Sequence, residues 1–165
     1  MSGTRTHTGF SLIELLIVLT IIGIIASIAI PNLLASRRAA NEASAQSSLR
    51  TISSCEASYQ ATDGAGRYGD LVALSSHVLT DAVLASGNKS GYRFVATPLA
   101  TTPAQFWAYA IPQVSSGVAQ TGIRRYAIAE DGVLRGDPTL TVPASHAAVI
   151  GSGSPPIGGM PPLGN

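Results

Sequence analysis

The sequence predicts an α+β protein: one long N-terminal helix, transmembrane over its first half, packed through its second half on a small antiparallel β-sheet. Three observations predict it. From Phe10 to Ile30 the chain is apolar except for Ser11, Thr20, Gly23, Ser27 and a single charge, Glu14. Helical composition then continues past Pro31 to about Ala61, with no glycine and no further proline. Beyond Gly87, short β-prone runs alternate with glycine and proline.

The apolar run is long enough to cross the hydrocarbon layer of a bilayer, which takes about 20 helical residues. A carboxylate inside such a run costs up to about 3 kcal/mol at the bilayer centre and less near an end, so Glu14 calls for a reason. From Asn32 the helix turns amphipathic. Ala45, Leu49, Ile52, Glu56 and Tyr59 recur at helical spacing with Cys55 beside them, and predict one half-buried stripe. Arg37, Arg38, Asn41, Glu42, Gln46 and Arg50 lie elsewhere on the surface, with Arg38 and Glu42 spaced to pair across one turn. Pro31 has no N–H to offer the carbonyl of Ser27, which predicts a kink, and Gly23 weakens the turns before it.

The loop Thr62-Asp63-Gly64-Ala65-Gly66-Arg67 ends the helix. Residues 68–90 carry one or two short helical pieces. Strands are expected over Tyr92–Thr97, ended by Pro98, and over Gln105–Ile111, ended by Pro112. Arg125–Ala129 and Val133–Arg135 flank Glu130-Asp131-Gly132 as a hairpin, and Leu140–Ile150 is a candidate edge strand. Three or four antiparallel strands thus set one face against the Leu49/Ile52/Tyr59 stripe. The last residues, rich in proline and glycine, are expected to be disordered. The expected organisation is a leader over 1–9, a transmembrane and polymerisation helix over 10–31, an amphipathic half over 32–61, a head over 62–150 and a tail over 151–165.

Ten basic and nine acidic residues give a formal charge of +1, which implies neither a nucleic-acid footprint nor an acidic-substrate field. The lone cysteine, Cys55, excludes an internal disulfide. No catalytic constellation emerges. His77 near Asp81 lacks a nucleophile in a recognisable motif, and His7 and His146 have no partners at ligand spacing. Asp63 and Asp70 lack the alternating acids of a calcium loop. Trp107 and the tyrosines suit sheet packing. The expectation is a non-enzyme with no cofactor and no metal.

The strongest motif precedes the apolar run. Residues 1–9 are short and polar, carry Arg5 and His7, and end in Gly9 before Phe10. A secretory signal peptide is cut behind its apolar segment, whereas a cut at Gly9/Phe10 keeps that segment. This arrangement resembles the type IV prepilin family, with its class III signal peptide and N-terminal methylation motif. Gly9, Phe10 and Glu14 match the family's signature positions, and Gly23 and Pro31 its helix-weakening pair. The likeness is specific over about the first fifty residues and architectural beyond them.

The resemblance implies cleavage after Gly9 by prepilin peptidase, methylation of the new Phe10 amine, and assembly on an inner-membrane platform into a homo-oligomeric helical filament. Glu14 is then the assembly residue, and Gly23 and Pro31 the helix hinge. Before assembly the chain would sit in inner-membrane lipid as a single pass with its head in the periplasm; afterwards it would lie in a surface filament. Arg5 in the leader favours that orientation, while Arg37 and Arg38 oppose it. A single cysteine departs from pilins whose C-terminal loop a disulfide closes. Two alternatives stay open: a type II secretion pseudopilin, and a single-pass anchored periplasmic binding domain that never polymerises.

Overall fold

The computed structural model describes residues 10–151 and 159–163, and the leader with Gly9 lies outside them. The chain divides into two compact units, Met1–Ser36 and Arg37–Asn165. One helix, α1 (Leu12–Ala61), provides the first unit's described structure and runs on into the second. It is continuous through Gly23 and Pro31. Its apolar part is long and apolar enough to cross a membrane, and none of that part is buried. Thr20 and Ser27 donate their hydroxyls to the carbonyls of Leu16 and Ile24, each at 2.8 Å, so neither leaves a polar group without a partner in an apolar stretch.

In the second unit α1 carries the expected stripe: Ala45, Leu49, Ile52, Cys55 and Glu56 are buried, with Ser48 beside them, and Tyr59 is partly buried. Two short helices follow, α2 (Leu71–Ser76) and α3 (Ala82–Ala85). Asp70 and Asp81 cap them, accepting from the amides of Ala73 (2.7 Å) and Leu84 (2.6 Å).

The sheet is an antiparallel meander of five strands in sequence order: β1 (Asn88–Lys89), β2 (Tyr92–Leu99), β3 (Gln105–Pro112), β4 (Arg125–Ala129) and β5 (Arg135–Asp137). Tyr92, Phe94, Phe106, Tyr126 and Ile128 face the α1 stripe in the main core. The alternate residues Trp107, Tyr109, Ala127 and Ala129 face the other way and are covered by α4 (His146–Ile150) and Met160. Residue alternation thus makes β3 a strand buried on both faces.

Several expectations are corrected. Pro98 lies inside the strand it was expected to end, whereas Pro112 is the last residue of β3, as expected. Pro98 is past the two residues of β2 that β1 covers, so its missing N–H forfeits no second ladder. The hairpin after β4 opens later than expected. Pairing begins at Ala127↔Arg135, because Asp131 accepts from the amide of Val133 at 3.1 Å and holds Arg135 as well, which turns Val133 and Leu134 out of register.

Leu140–Ile150 gives no edge strand. Ser145 caps a helical turn there, accepting from the amide of Ala148 at 3.3 Å. The edge is closed instead by residues expected to be disordered. The amide of Gly136 donates to Pro161 O at 3.1 Å, that of Leu163 to Leu134 O at 2.9 Å, and Met160 is buried. Met160 and Leu163 give this segment the apolar anchors that its proline-glycine composition conceals.

Candidate functional site: the N-terminal helix and its junctions

Ser11 stands just before the first helical residue, and Glu14 is the third residue of the first turn. The Ser11 amide donates to Glu14 Oε2 at 2.9 Å, the carboxylate half of a capping box. A carboxylate at this end also meets the positive pole of the helix dipole. Glu14 therefore has a local partner in the single chain, and the Ser-x-x-Glu spacing of residues 11–14 is the sequence signal for it. Around it the large side chains from Leu12 to Ile30 are all exposed, and Phe10 is 80% exposed. A Cβ added at Gly23 would meet nothing within 4 Å, so no close packing in the single chain requires glycine there.

The start of the second unit is tied to the head by polar contacts that the sequence conceals. Glu42 accepts from the amide of Ile123 at 2.7 Å and from the Tyr126 hydroxyl at 2.9 Å. The expected Arg38–Glu42 pair is absent for that reason: both carboxylate oxygens are taken by residues about eighty positions away. Asn41 donates to Thr121 O at 3.0 Å, and the Tyr92 hydroxyl donates to Arg124 O at 2.8 Å. Burial, with the nearby Glu42 carboxylate, raises the Tyr92 phenol far above its ordinary range and pushes that of Tyr126 up to about 12.

At the far end of α1, Glu56 is fully buried. Its Oε2 accepts from the amide of Gly69 at 2.9 Å, and its Oε1 has no hydrogen-bond partner. Desolvation is the main reason that its pKa rises to about 7; the Gly69 bond opposes the rise and the Asp70 charge adds to it. Cys55 donates to Leu79 O at 2.7 Å, and burial pushes its thiol up, away from thiolate chemistry.

The histidines find carboxylates other than those considered from sequence. His77 pairs with Asp63 at 3.1 Å and lies edge-on to Tyr59, while Asp81 caps α3 and pairs with Lys89. His146 meets both oxygens of Glu130, at 2.8 and 3.0 Å. Asp131 binds Arg135 at the same turn; burial works to raise its pKa, but the Arg135 hydrogen bonds hold it below the usual range. Asp63 and Asp70 are occupied separately, one with His77 and one as a cap. Among the described residues no group of three or more histidine, cysteine or carboxylate side chains is placed to hold a metal. Trp107 and Tyr109 stack at 5.2 Å in the second core.

Comparison with known proteins agrees with the helix. The family described as the prokaryotic N-terminal methylation motif matches residues 4–30. The chain is also 60% identical over 38 residues to the type IV wide pilus major component PilA4 of Thermus thermophilus. That match covers 23% of this chain and 29% of the relative, so less than a third of the relative's length is spanned. No solved structure matches. The methylation motif and the pilin match, on a chain whose long helix and antiparallel sheet form a pilin-like α+β arrangement, support the type IV pilin/prepilin family for this protein.

Proposed function

We propose that this protein is a structural subunit of a type IV pilus filament and not an enzyme. It is stored in the inner membrane with its head in the periplasm, cut between Gly9 and Phe10 by prepilin peptidase, and methylated at the Phe10 amine. An inner-membrane platform then extrudes it into a homo-oligomeric surface filament. The observation that carries this reading is the apolar half of α1, whose side chains find no cover in the chain itself. In a bundle of such helices the amine of Phe10 in one subunit meets Glu14 in another. The pair offsets the desolvation of both charges and fixes the axial register, because two mispaired carboxylates repel.

The capping bond from Ser11 uses one oxygen of Glu14 and leaves the other for that amine. Gly23 and Pro31 supply a hinge that loses regular helix on assembly, since glycine adds backbone entropy and proline removes a backbone bond. A filament map with unbroken helix from Gly23 through Pro31 would contradict the hinge. The alternative within the family is a type II secretion pseudopilin, which shares the N-terminal signature. Intact-mass measurement of the membrane-extracted chain tests the processing. A chain starting at methylated Phe10 is expected; one starting at Met1, or cut after Ala26 or Ala29, would rule it out.

A further inference from the structure

Of the nine basic side chains that follow the leader, Lys89, Arg125 and Arg135 have ion-pair partners among the described residues. The other six have none, and of these Arg37, Arg38 and Arg124 come from two segments that meet. Glu42, one turn beyond Arg38 on α1, holds the amide of Ile123, so Arg124 lies beside the same stretch of helix. Arg38 is half-buried and its Nε is enclosed without a partner, while Arg37 and Arg124 are exposed. Glu42 makes no ion pair with them, and its carboxylate, held by Ile123 and Tyr126, offsets only one of the three charges.

The loop that ends at Arg124, over residues 113–124, is closed by its own hydrogen bonds and apolar at its tip. The amide of Thr121 donates to Val114 O at 3.0 Å, and the Gln120 side chain donates to Ser115 O at 3.0 Å. This closure leaves Val118 73% exposed and Ile123 51% exposed. No acidic residue occurs from Gln113 to Ala129. Exposed valine and isoleucine on a loop that ends at Arg124 suit a phospholipid interface, where apolar tips enter the acyl boundary and guanidinium groups meet phosphates. Arg37 is six residues past Pro31 in sequence, and six residues reach at most about 20 Å, so Arg37 stays within that reach of a bilayer that ends near Pro31.

We infer that Arg37, Arg38 and Arg124, with Val118 and Ile123, form a seat for anionic phospholipid headgroups that holds the head of the stored subunit against the membrane surface. The inference rests on the reading of residues 10–31 as a membrane span. Lipid is favoured over another polyanion by the exposed apolar tips, which a phosphate backbone in water does not call for. Leaving the membrane for a filament then breaks the seat, so its strength sets how readily a subunit is drawn from the storage pool.

The test uses the full chain in a Cys55→Ala background, reconstituted in vesicles of phosphatidylglycerol with phosphatidylethanolamine or of phosphatidylcholine alone. An environment-sensitive label at Val118→Cys is read against a quencher at headgroup depth, and one at Leu19→Cys against a quencher deep in the acyl region. The expected result is headgroup-level quenching at 118 in anionic vesicles only, lost in high salt. Each Arg→Gln change should lower the seated-to-lifted ratio about fivefold, with Trp107 fluorescence unchanged as the sign of an intact head. Deep quenching at 19 without quenching at 118 overturns the seat and leaves the span standing. Absence of quenching at 19 removes the span itself, and the seat with it. Quenching at 118 that is equal in neutral vesicles and in the triple variant overturns the seat, as does relief of 118 quenching by short duplex DNA at constant ionic strength.

Discussion

Replacing Glu56 by glutamine should change how the stability of the head depends on pH. The folded chain holds this carboxyl fully buried and raises its pKa from 4.5 to about 7. Between those values the folded chain binds more proton than the unfolded one, so stability falls as pH rises through the window and is level above it. At about 1.4 kcal/mol per pH unit, the loss from Glu56 alone is on the order of 3 kcal/mol. For a head of this size that is roughly 10 °C in Tm. Glutamine keeps an acceptor for the Gly69 amide but carries no charge at any pH. Its amino group takes the place of the unpartnered Oε1 at a cost of about 1–3 kcal/mol, so the variant should be less stable than wild type near pH 5 and equal or exceed it at pH 8. Groups that titrate alike in both chains cancel, so the telling quantity is the difference between the two curves. Thermal unfolding of the full chain in micelles, followed through Trp107 fluorescence between pH 4 and 9, measures it. A Glu56→Gln chain that keeps the whole wild-type slope would refute the reasoning.

The head makes two further predictions. Ending the chain after Gly159 removes buried Met160 and the partners of Gly136 N–H and Leu134 C=O, and should destabilise the head by about 2–5 kcal/mol in the same unfolding assay; a change below 1 kcal/mol would show that the clasp contributes little. Gly91→Ala places a Cβ 2.8 Å from Thr121 at a φ of +71°, and should cost about 2 kcal/mol, read as a lower Tm and faster amide exchange at Lys89 and Tyr92.

What was legible from sequence was what neighbours in the chain determine. The stripe from Ala45 to Tyr59 follows helical spacing, α1 stops where Gly64 and Gly66 begin, and the aromatic and β-branched runs mark β2, β3 and β4. Two local signals were present and went unread. One is the Ser11-x-x-Glu14 capping box. The other is Ser90-Gly91, whose positive φ values of 49° and 71° make the tight turn between β1 and β2. The rest is fixed by distant contacts. Glu42 chooses Ile123 and Tyr126 over Arg38, and Asp131 holds Arg135 and delays β5. A proline pair at 161 and 162 suggests disorder by composition, yet Met160 and Leu163 on either side dock on a sheet that composition does not reveal.

The claim at the centre is that α1 polymerises through Glu14, and Glu14→Ala tests it most directly. For a solitary anchor, removing a charge from a spanning helix leaves insertion and head folding intact or improved, with only the capping bond to Ser11 lost. For a filament subunit it leaves the Phe10 amine unpaired in an apolar bundle, at about 3–5 kcal/mol per buried contact. The measurement is shearing of surface filaments beside a membrane-fraction blot, for wild type and Glu14→Ala. Wild-type filaments, with the mutant cut at Gly9/Phe10 but held in the membrane, are the predicted result; mutant subunits entering filaments at wild-type levels would contradict the pairing, and no wild-type polymer in any condition would contradict the filament itself.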